Sequence, residues 1–113
     1  MGIKLIDFEY AGMADPVSDI ALLSVYEHFT PEKCMKLYKY YKEADPHNKL
    51  LPKNDKEAEE LLVYYMALSG LWNVYWAIVM AATTGNDYGM YAMQHYQDMK
   101  KNIDYIKKGV WKI

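Results

Sequence analysis

The 113-residue chain has room for one domain, because 52% apolar side chains suffice for a single core but not for two. Its 13 basic residues are all lysines and face 15 carboxylates, for a net charge of -2. Without arginine, a nucleic-acid binder that reads base edges is disfavoured, so we expect no nucleic-acid partner. The single cysteine, Cys34, excludes an internal disulfide and favours a reducing cytoplasm.

The first ten residues predict a short strand or hairpin. Ile3 to Phe8 is a β-branched and apolar run that ends near the acidic Asp7 and is followed by a turn at Gly12. The same stretch carries acids and lacks a long apolar segment, so it does not read as a secretory signal. We therefore expect one N-terminal strand ahead of the helices.

Two helix starts follow, and each pairs an N-cap residue with a proline. Asp15-Pro16 begins a helix that runs towards His28, and Thr30-Pro31 begins a second one. One face of the second helix is apolar and much of the rest is lysine, which is typical of a solvated helix surface. The apolar face comprises Cys34, Leu37, Tyr38 and Tyr41.

A long helix is predicted after the linker 45–53, with Asn54 as its N-cap. The stretch 61–86 has no charged residue and passes the length test for a membrane span. Polar and tyrosine side chains near its middle instead favour a central helix buried almost all round, with no membrane span, ending near Gly85.

A last helix is predicted from Tyr88 to Lys107. We expect its inward face to carry Met90, Met93, Tyr96 and Ile103. The whole pattern predicts a mostly α single domain over residues 1–113, in which a short N-terminal strand or hairpin precedes about four helices.

An ordered series of short motifs runs from Leu5 to Leu22: Ile-Asp-Phe-Glu, Ala-Gly, Asp-Pro and Asp-Ile-Ala. The series resembles the C-terminal lobe of the choline/ethanolamine kinases and the wider aminoglycoside phosphotransferase superfamily, the choline kinases of bacterial type in particular. The resemblance implies that Asp7 binds the Mg²⁺ of ATP, in keeping with the preference of Mg²⁺ for carboxylate oxygens. It also implies structural roles near that site for Glu9 and for Asp19, a buried aspartate at the start of a helix.

The motif that carries catalysis in those kinases is missing from the sequence. Their catalytic loop is a His-Gly-Asp, whereas His28, His47 and His95 each have other neighbours. The chain thus resembles the C-terminal portion of a kinase-like C-lobe, without N-lobe, catalytic loop or catalytic residues. Alone, it is expected to be inactive.

Aromatic residues supply the candidate substrate site. Trp72 and Trp76 lie four residues apart and share a helix face. Taken alone, such residues are more often core than site. The resemblance implies a pocket for the trimethylammonium group of choline, which π faces select because a quaternary ammonium cannot donate a hydrogen bond. The pocket residues implied by the resemblance are Tyr10, Trp72, Trp76 and Tyr91.

These observations predict a segment of a cytoplasmic kinase that transfers phosphate from ATP to choline or ethanolamine, with Mg²⁺ as cofactor. Two alternatives remain open, a non-catalytic module that binds quaternary amines and a purely structural helical module left from a truncated kinase gene. Removing the rest of a lobe exposes apolar surface and strand edges, so we also expect self-association of the isolated segment.

Overall fold

Four helices make up the regular structure of the computed structural model, which describes residues 2–4 and 12–108. They are α1 (Pro16–Tyr26), α2 (Pro31–Ala44), α3 (Asp55–Thr84) and α4 (Gly89–Lys108). The predicted mostly α class and all four predicted helices are therefore confirmed.

The predicted N-terminal strand or hairpin is wrong. The described chain is helical wherever it is regular, and residues 2–4 and 12–15 belong to neither a helix nor a strand. Residues 5–11, which include most of the predicted strand, lie outside the described residues. A strand needs a neighbour with unpaired N–H and C=O groups, and helices satisfy these groups internally, so the described fold offers no sheet edge.

Local capping starts each of the first three helices where the sequence places it. The Asp15 carboxylate accepts a hydrogen bond from the backbone N–H of Val17 at 2.9 Å, and Asn54 Oδ1 accepts one from Glu57 at 2.9 Å. Thr30 caps α2 in the same way. Asp15 also accepts a hydrogen bond from the hydroxyl of Tyr65 at 3.1 Å, which fixes the start of α1 to α3.

The apolar core cluster lies between α1, α2 and the N-terminal half of α3. Each helix contributes the face that its spacing predicts, including the predicted apolar face of α2. The buried members of the cluster are Val17, Ile20, Ala21, Val25, Cys34, Met35, Tyr38, Ala58, Leu62 and Met66.

α4 packs antiparallel along α3, from Trp76 through Gly70 to Met66, and its inward face matches the prediction only at the half-buried Ile103. Met90, Met93 and Tyr96 are exposed, whereas His95 and Asn102 are buried. The physical reason is that the side of α4 turned towards α3 mixes apolar residues such as Tyr91 and Met99 with the buried polar residues His95 and Asn102, so hydrophobicity alone did not mark it. The two helices approach closely at Gly70, where an added Cβ would lie 3.1 Å from Cβ of Met99.

α3 is the shared spine of the molecule, and it is buried on one side only. The overall dimensions are 47 × 44 × 23 Å, and the smallest of them corresponds to two layers of helices. The prediction that the central helix is buried almost all round is therefore wrong. Seven large apolar side chains, here called the α3 stripe, are exposed: Tyr64, Leu68, Leu71, Trp72, Tyr75, Ile78 and Val79.

By length and hydropathy, α3 is also sufficient to cross a bilayer. Its most apolar window has a mean hydropathy of 1.3, and 33% of that window is buried inside the protein. Core helices pass the same test, so the observation is weak evidence for a span.

Candidate functional site

Trp76 and Tyr91, two of the predicted substrate residues, meet at the junction of α3 and α4. Their ring centroids lie 5.6 Å apart with the planes inclined at 59°. Tyr88 packs edge-on against Trp76 at 5.4 Å, and His95 lies 4.4 Å from the Tyr91 ring. We call Trp76, Tyr88, Tyr91 and His95 the aromatic cluster.

The connection between the two helices builds this cluster. Gly85 ends α3 in the left-handed conformation, with φ of 75°, which glycine adopts without a steric penalty. The chain then reverses over residues 85–88 and enters α4 at Gly89. Because the reversal is short, Tyr88 and Tyr91 are brought back over the last turns of α3, where Trp76 lies.

The end of α1 forms the second side of the cluster. Burial raises the pKa of Tyr91, and the hydroxyl of neighbouring Tyr26 adds to the effect. His28, two residues after the end of α1, has a positive φ of 53°. Its Nδ1 donates a hydrogen bond to the Asp98 carboxylate at 2.6 Å. Its ring lies 5.1 Å from that of His95. The cluster therefore joins three helices.

His95 is neutral at ordinary pH because of where it lies. Its side chain is 1% exposed, and burial, followed by the repulsion of nearby His28, lowers its pKa, while Asp98 acts in the opposite direction. Among the described residues, Nδ1 of His95 has no hydrogen-bond partner, and neither does the amide of buried Asn73, one turn before Trp76 on α3. The junction thus contains buried polar groups that packing alone does not satisfy.

The remaining predicted site residues do not join the cluster in the described chain. Trp72 is 49% exposed and belongs to the α3 stripe. Asp19 is exposed in the first turn of α1, where the resemblance implies burial. Asp7, Glu9 and Tyr10 lie outside the described residues, so their roles stay predictions.

Sequence reasoning missed Tyr88 and His95 as neighbours of the pair. Their signal was present, because positions 91 and 95 share one side of α4, and Tyr88, three residues before Tyr91, directly precedes the helix. The prediction that Met90 and Met93 face inward favoured a different side of α4. Asn73 was missed for a different reason, since no local sequence pattern marks a single buried amide side chain.

The residues described provide no metal centre. Over 2–4 and 12–108, no group of three or more His, Cys, Asp or Glu side chains could hold a metal ion. The prediction that Asp7 binds Mg²⁺ falls outside these ranges. No step of a reaction is therefore assigned to Mg²⁺ or ATP through the described residues.

A separate cleft of about 630 Å³ opens between the α1–α2 turn and the last turns of α4. Its walls combine the apolar Val25 and Phe29 with the charged Asp98 and Lys101. Its lining includes none of the four rings of the aromatic cluster, but it includes His28 and Asp98, which lie beside His95. The two features therefore adjoin.

Comparison of the chain with protein-family models, with curated proteins and with solved structures gives no match. A proposal about function consequently depends on the motif series of the sequence and on the aromatic cluster. The cluster offers inclined π faces on two helices, which is a chemistry suited to a cation that makes few hydrogen bonds.

Proposed function

We propose that this chain is the C-terminal segment of an ATP-dependent choline or ethanolamine kinase, in which it provides the aromatic wall that binds the ammonium group. The observation that carries the proposal is the pairing of Trp76 and Tyr91 across two helices, with ring centroids 5.6 Å apart. Both residues belong to the pocket that the motif resemblance implies.

The chemistry of the pair supports an ammonium ligand. A cation is attracted by an aromatic face within about 6 Å of the ring centroid, and the 5.6 Å between the two ring centroids is compatible with one cation within that distance of both rings. Each contact contributes about 0.5 to 2 kcal/mol, depending on desolvation. Choline suits such a wall better than ethanolamine, because its trimethylammonium group requires no hydrogen-bond acceptor.

In the proposed enzyme the described residues bind and orient the substrate and take no part in proton or phosphoryl transfer. Mg²⁺, held by Asp7 together with the ATP phosphates, would neutralise charge on the transferred group. The base that positions the choline hydroxyl would come from a catalytic loop upstream. The chain alone is therefore expected to bind the amine without turning it over.

The proposal predicts that the isolated chain binds choline and that Trp76→Leu weakens binding by about 2- to 30-fold, the range that corresponds to one cation–π contact. Isothermal titration or broadening of the choline methyl resonance measures the affinity. The matched control is Tyr75→Leu, an exposed aromatic on the same helix outside the cluster. Circular dichroism establishes that each variant is folded.

Two results distinguish the candidate functions. An in-frame His-Gly-Asp loop in the coding sequence upstream of Met1, together with choline binding, supports the kinase. Choline binding with a stop codon in that position would leave the non-catalytic amine-binding module. A folded chain that does not respond to choline, or one in which Tyr75→Leu and Trp76→Leu have equal effects, contradicts an ammonium site at the aromatic cluster.

A further inference from the structure

The cleft between the α1–α2 turn and the last turns of α4 has the size of a small-molecule site. Its volume of about 630 Å³ lies within the range of about 300–1,000 Å³ that is typical of ligand pockets. Apolar side chains form much of its wall, among them Val25, Phe29, Pro31 and Met66. Pockets that bind small molecules usually combine such walls with a few well-positioned polar groups.

The acidic and basic side chains of the cleft balance one another. Among the described residues of its wall are two lysines, Lys101 and Lys108, and two aspartates, Asp98 and Asp104, all of them on α4. A ligand with a net charge would therefore meet as much repulsion as attraction, while it still lost its hydration on entering the cleft. This balance favours an uncharged ligand.

His28, on the wall of the cleft, occupies a position at which helices usually carry glycine. Two backbone hydrogen bonds end α1: the N–H of His28 donates to the carbonyl of Val25 at 3.2 Å, and that of Phe29 to the carbonyl of Ser24 at 2.8 Å. This pattern requires the left-handed conformation at His28, with φ of 53°, which glycine adopts most easily. The end of the helix thus explains the backbone conformation but does not explain the imidazole.

Asp98 determines which nitrogen of the His28 ring can serve a ligand. Its carboxylate accepts a hydrogen bond from Nδ1 at 2.6 Å, so a neutral imidazole has its proton on Nδ1 and keeps a lone pair on Nε2. Both side chains line the cleft, and they are 42% and 33% exposed, so small molecules can reach them. The pair therefore supplies a hydrogen-bond acceptor whose orientation is fixed by Asp98 and by the end of α1.

We propose that this cleft binds a small uncharged molecule with an apolar body and a hydroxyl group, and that the hydroxyl donates a hydrogen bond to Nε2 of His28. The apolar body packs against Val25, Phe29 and Met66, and the aromatic ring of Phe29 suits a ligand that is itself aromatic. The inference goes beyond the proposed function, because this ligand is not an amine and its site adjoins the aromatic cluster without including any of its four rings.

Phenol and anisole test the hydrogen bond, because they differ only in the methyl group that replaces the hydroxyl hydrogen. At about pH 8.5 a histidine side chain is ordinarily neutral and a phenol keeps its proton. Phenol should then bind about 2- to 10-fold more tightly than anisole, the range that corresponds to one hydrogen bond. Benzoate, the same ring with a negative charge, should bind more weakly than phenol. Titration followed by NMR measures the three affinities.

The variant His28→Asn should remove the preference for phenol over anisole, since asparagine tolerates the left-handed conformation but has no imidazole. The matched control His47→Asn changes an exposed histidine in the linker and should keep the preference. If His28→Asn does not fold, the ring nitrogen resonances of the wild-type histidines take its place. Phenol should shift the Nε2 resonance of His28, anisole should shift it much less, and neither should shift that of His47.

A folded wild-type chain that does not bind phenol would overturn the proposal, as would equal affinities for phenol and anisole or an unchanged preference in His28→Asn. Tighter binding of benzoate than of phenol would make the cleft a site for anions and overturn the uncharged ligand. Displacement of phenol by excess choline would place phenol in the amine site and overturn a separate one. The phenol and anisole affinities are measured without choline, so their failure is separate from failure of the proposed function.

Discussion

His95 lies where three segments of the chain converge. Its ring contacts Tyr91 on its own helix and faces Tyr26 and His28 at the end of α1, while its backbone carbonyl lies against Gly70 of α3. Burial lowers its pKa, and the repulsion of His28 adds to the effect. A neutral imidazole is therefore part of the folded state, and adding a proton to it works against folding.

We predict that acid destabilises the protein through His95. The unfolded chain protonates this residue near its ordinary pKa of 6.5, and the folded chain only at lower pH. Between the two pKa values the unfolded state binds more protons, so the free energy of unfolding falls as pH drops below about 7 and levels off below the folded pKa. Urea unfolding at a series of pH values measures this slope.

The variant His95→Leu should lose that part of the pH dependence, and His95→Gln serves if the leucine variant does not fold. The control His47→Leu changes an exposed histidine in the linker and should keep the wild-type slope. Identical slopes for wild type and both His95 variants would show that the imidazole does not titrate between the folded and unfolded states.

At the scale of the elements, the packing of α4 depends on the absence of a side chain at Gly70. A Cβ there would meet Cβ of Met99 at 3.1 Å and the carbonyl of His95 at 3.6 Å. Cβ of Met99 is attached to the helix backbone, so it moves only if α4 moves. The close approach explains why a glycine occupies the middle of a 30-residue helix despite its poor helix propensity.

We predict that Gly70→Leu destabilises the fold by about 1 to 3 kcal/mol through overpacking. Gly70→Ala should cost less, since alanine favours the helix by about 1 kcal/mol, which offsets the small displacement of Met99. Ala82→Leu at an exposed position of α3 is the control and should lie within about 0.5 kcal/mol of wild type. Denaturant unfolding gives these values, and equal effects at the two positions would contradict close packing at Gly70.

How much of each element was predictable depends on whether its signal is local. Asp15-Pro16, Thr30-Pro31 and Asn54 act within one turn, and each starts a helix as predicted. The buried face of α4 depends on contacts with distant residues, and its two buried side chains, His95 and Asn102, are polar and carry no hydrophobic signal. The prediction of an N-terminal strand was wrong for the same reason, because a β-strand requires a neighbouring strand that the local sequence does not specify.

The candidate site, too, was predictable only in part. The motif resemblance predicted Trp76 and Tyr91 as site residues, and the fold brings their rings together. The resemblance could not anticipate that Trp72, one turn earlier, lies on the exposed side of α3. Whether a position faces α4 or solvent depends on how α4 crosses α3, and Gly70 and Gly85 determine that crossing through close packing and chain reversal.

The whole molecule consists of two unequal halves that share α3. The apolar core cluster joins α1 and α2 to the first half of α3, and none of its described buried members comes from α4. The second half consists of α4 and the side of α3 that it contacts, held together by the aromatic cluster, the close approach at Gly70 and buried polar side chains. Apolar burial provides most folding free energy, so the second half is the less stable one.

We predict that α4 opens before the rest of the protein unfolds. Hydrogen exchange followed by mass spectrometry should show faster exchange in α4 than in α1 and residues 58–66, at denaturant concentrations well below the unfolding midpoint. The difference should grow in Gly70→Leu, which loosens only α4. Equal protection of α1 and α4 at all denaturant concentrations would show that the two halves open as one unit.

The position of the apolar core cluster along the chain bears on how the protein is made. Its described buried members run from Val17 to Met66, and both α4 and the aromatic cluster come later in the sequence. Once the ribosome has synthesised the first half of α3, all the described buried residues of the apolar core cluster are available to pack. The core can therefore form before α4 is synthesised, and α4 then packs on α3 within a chain that is already partly folded.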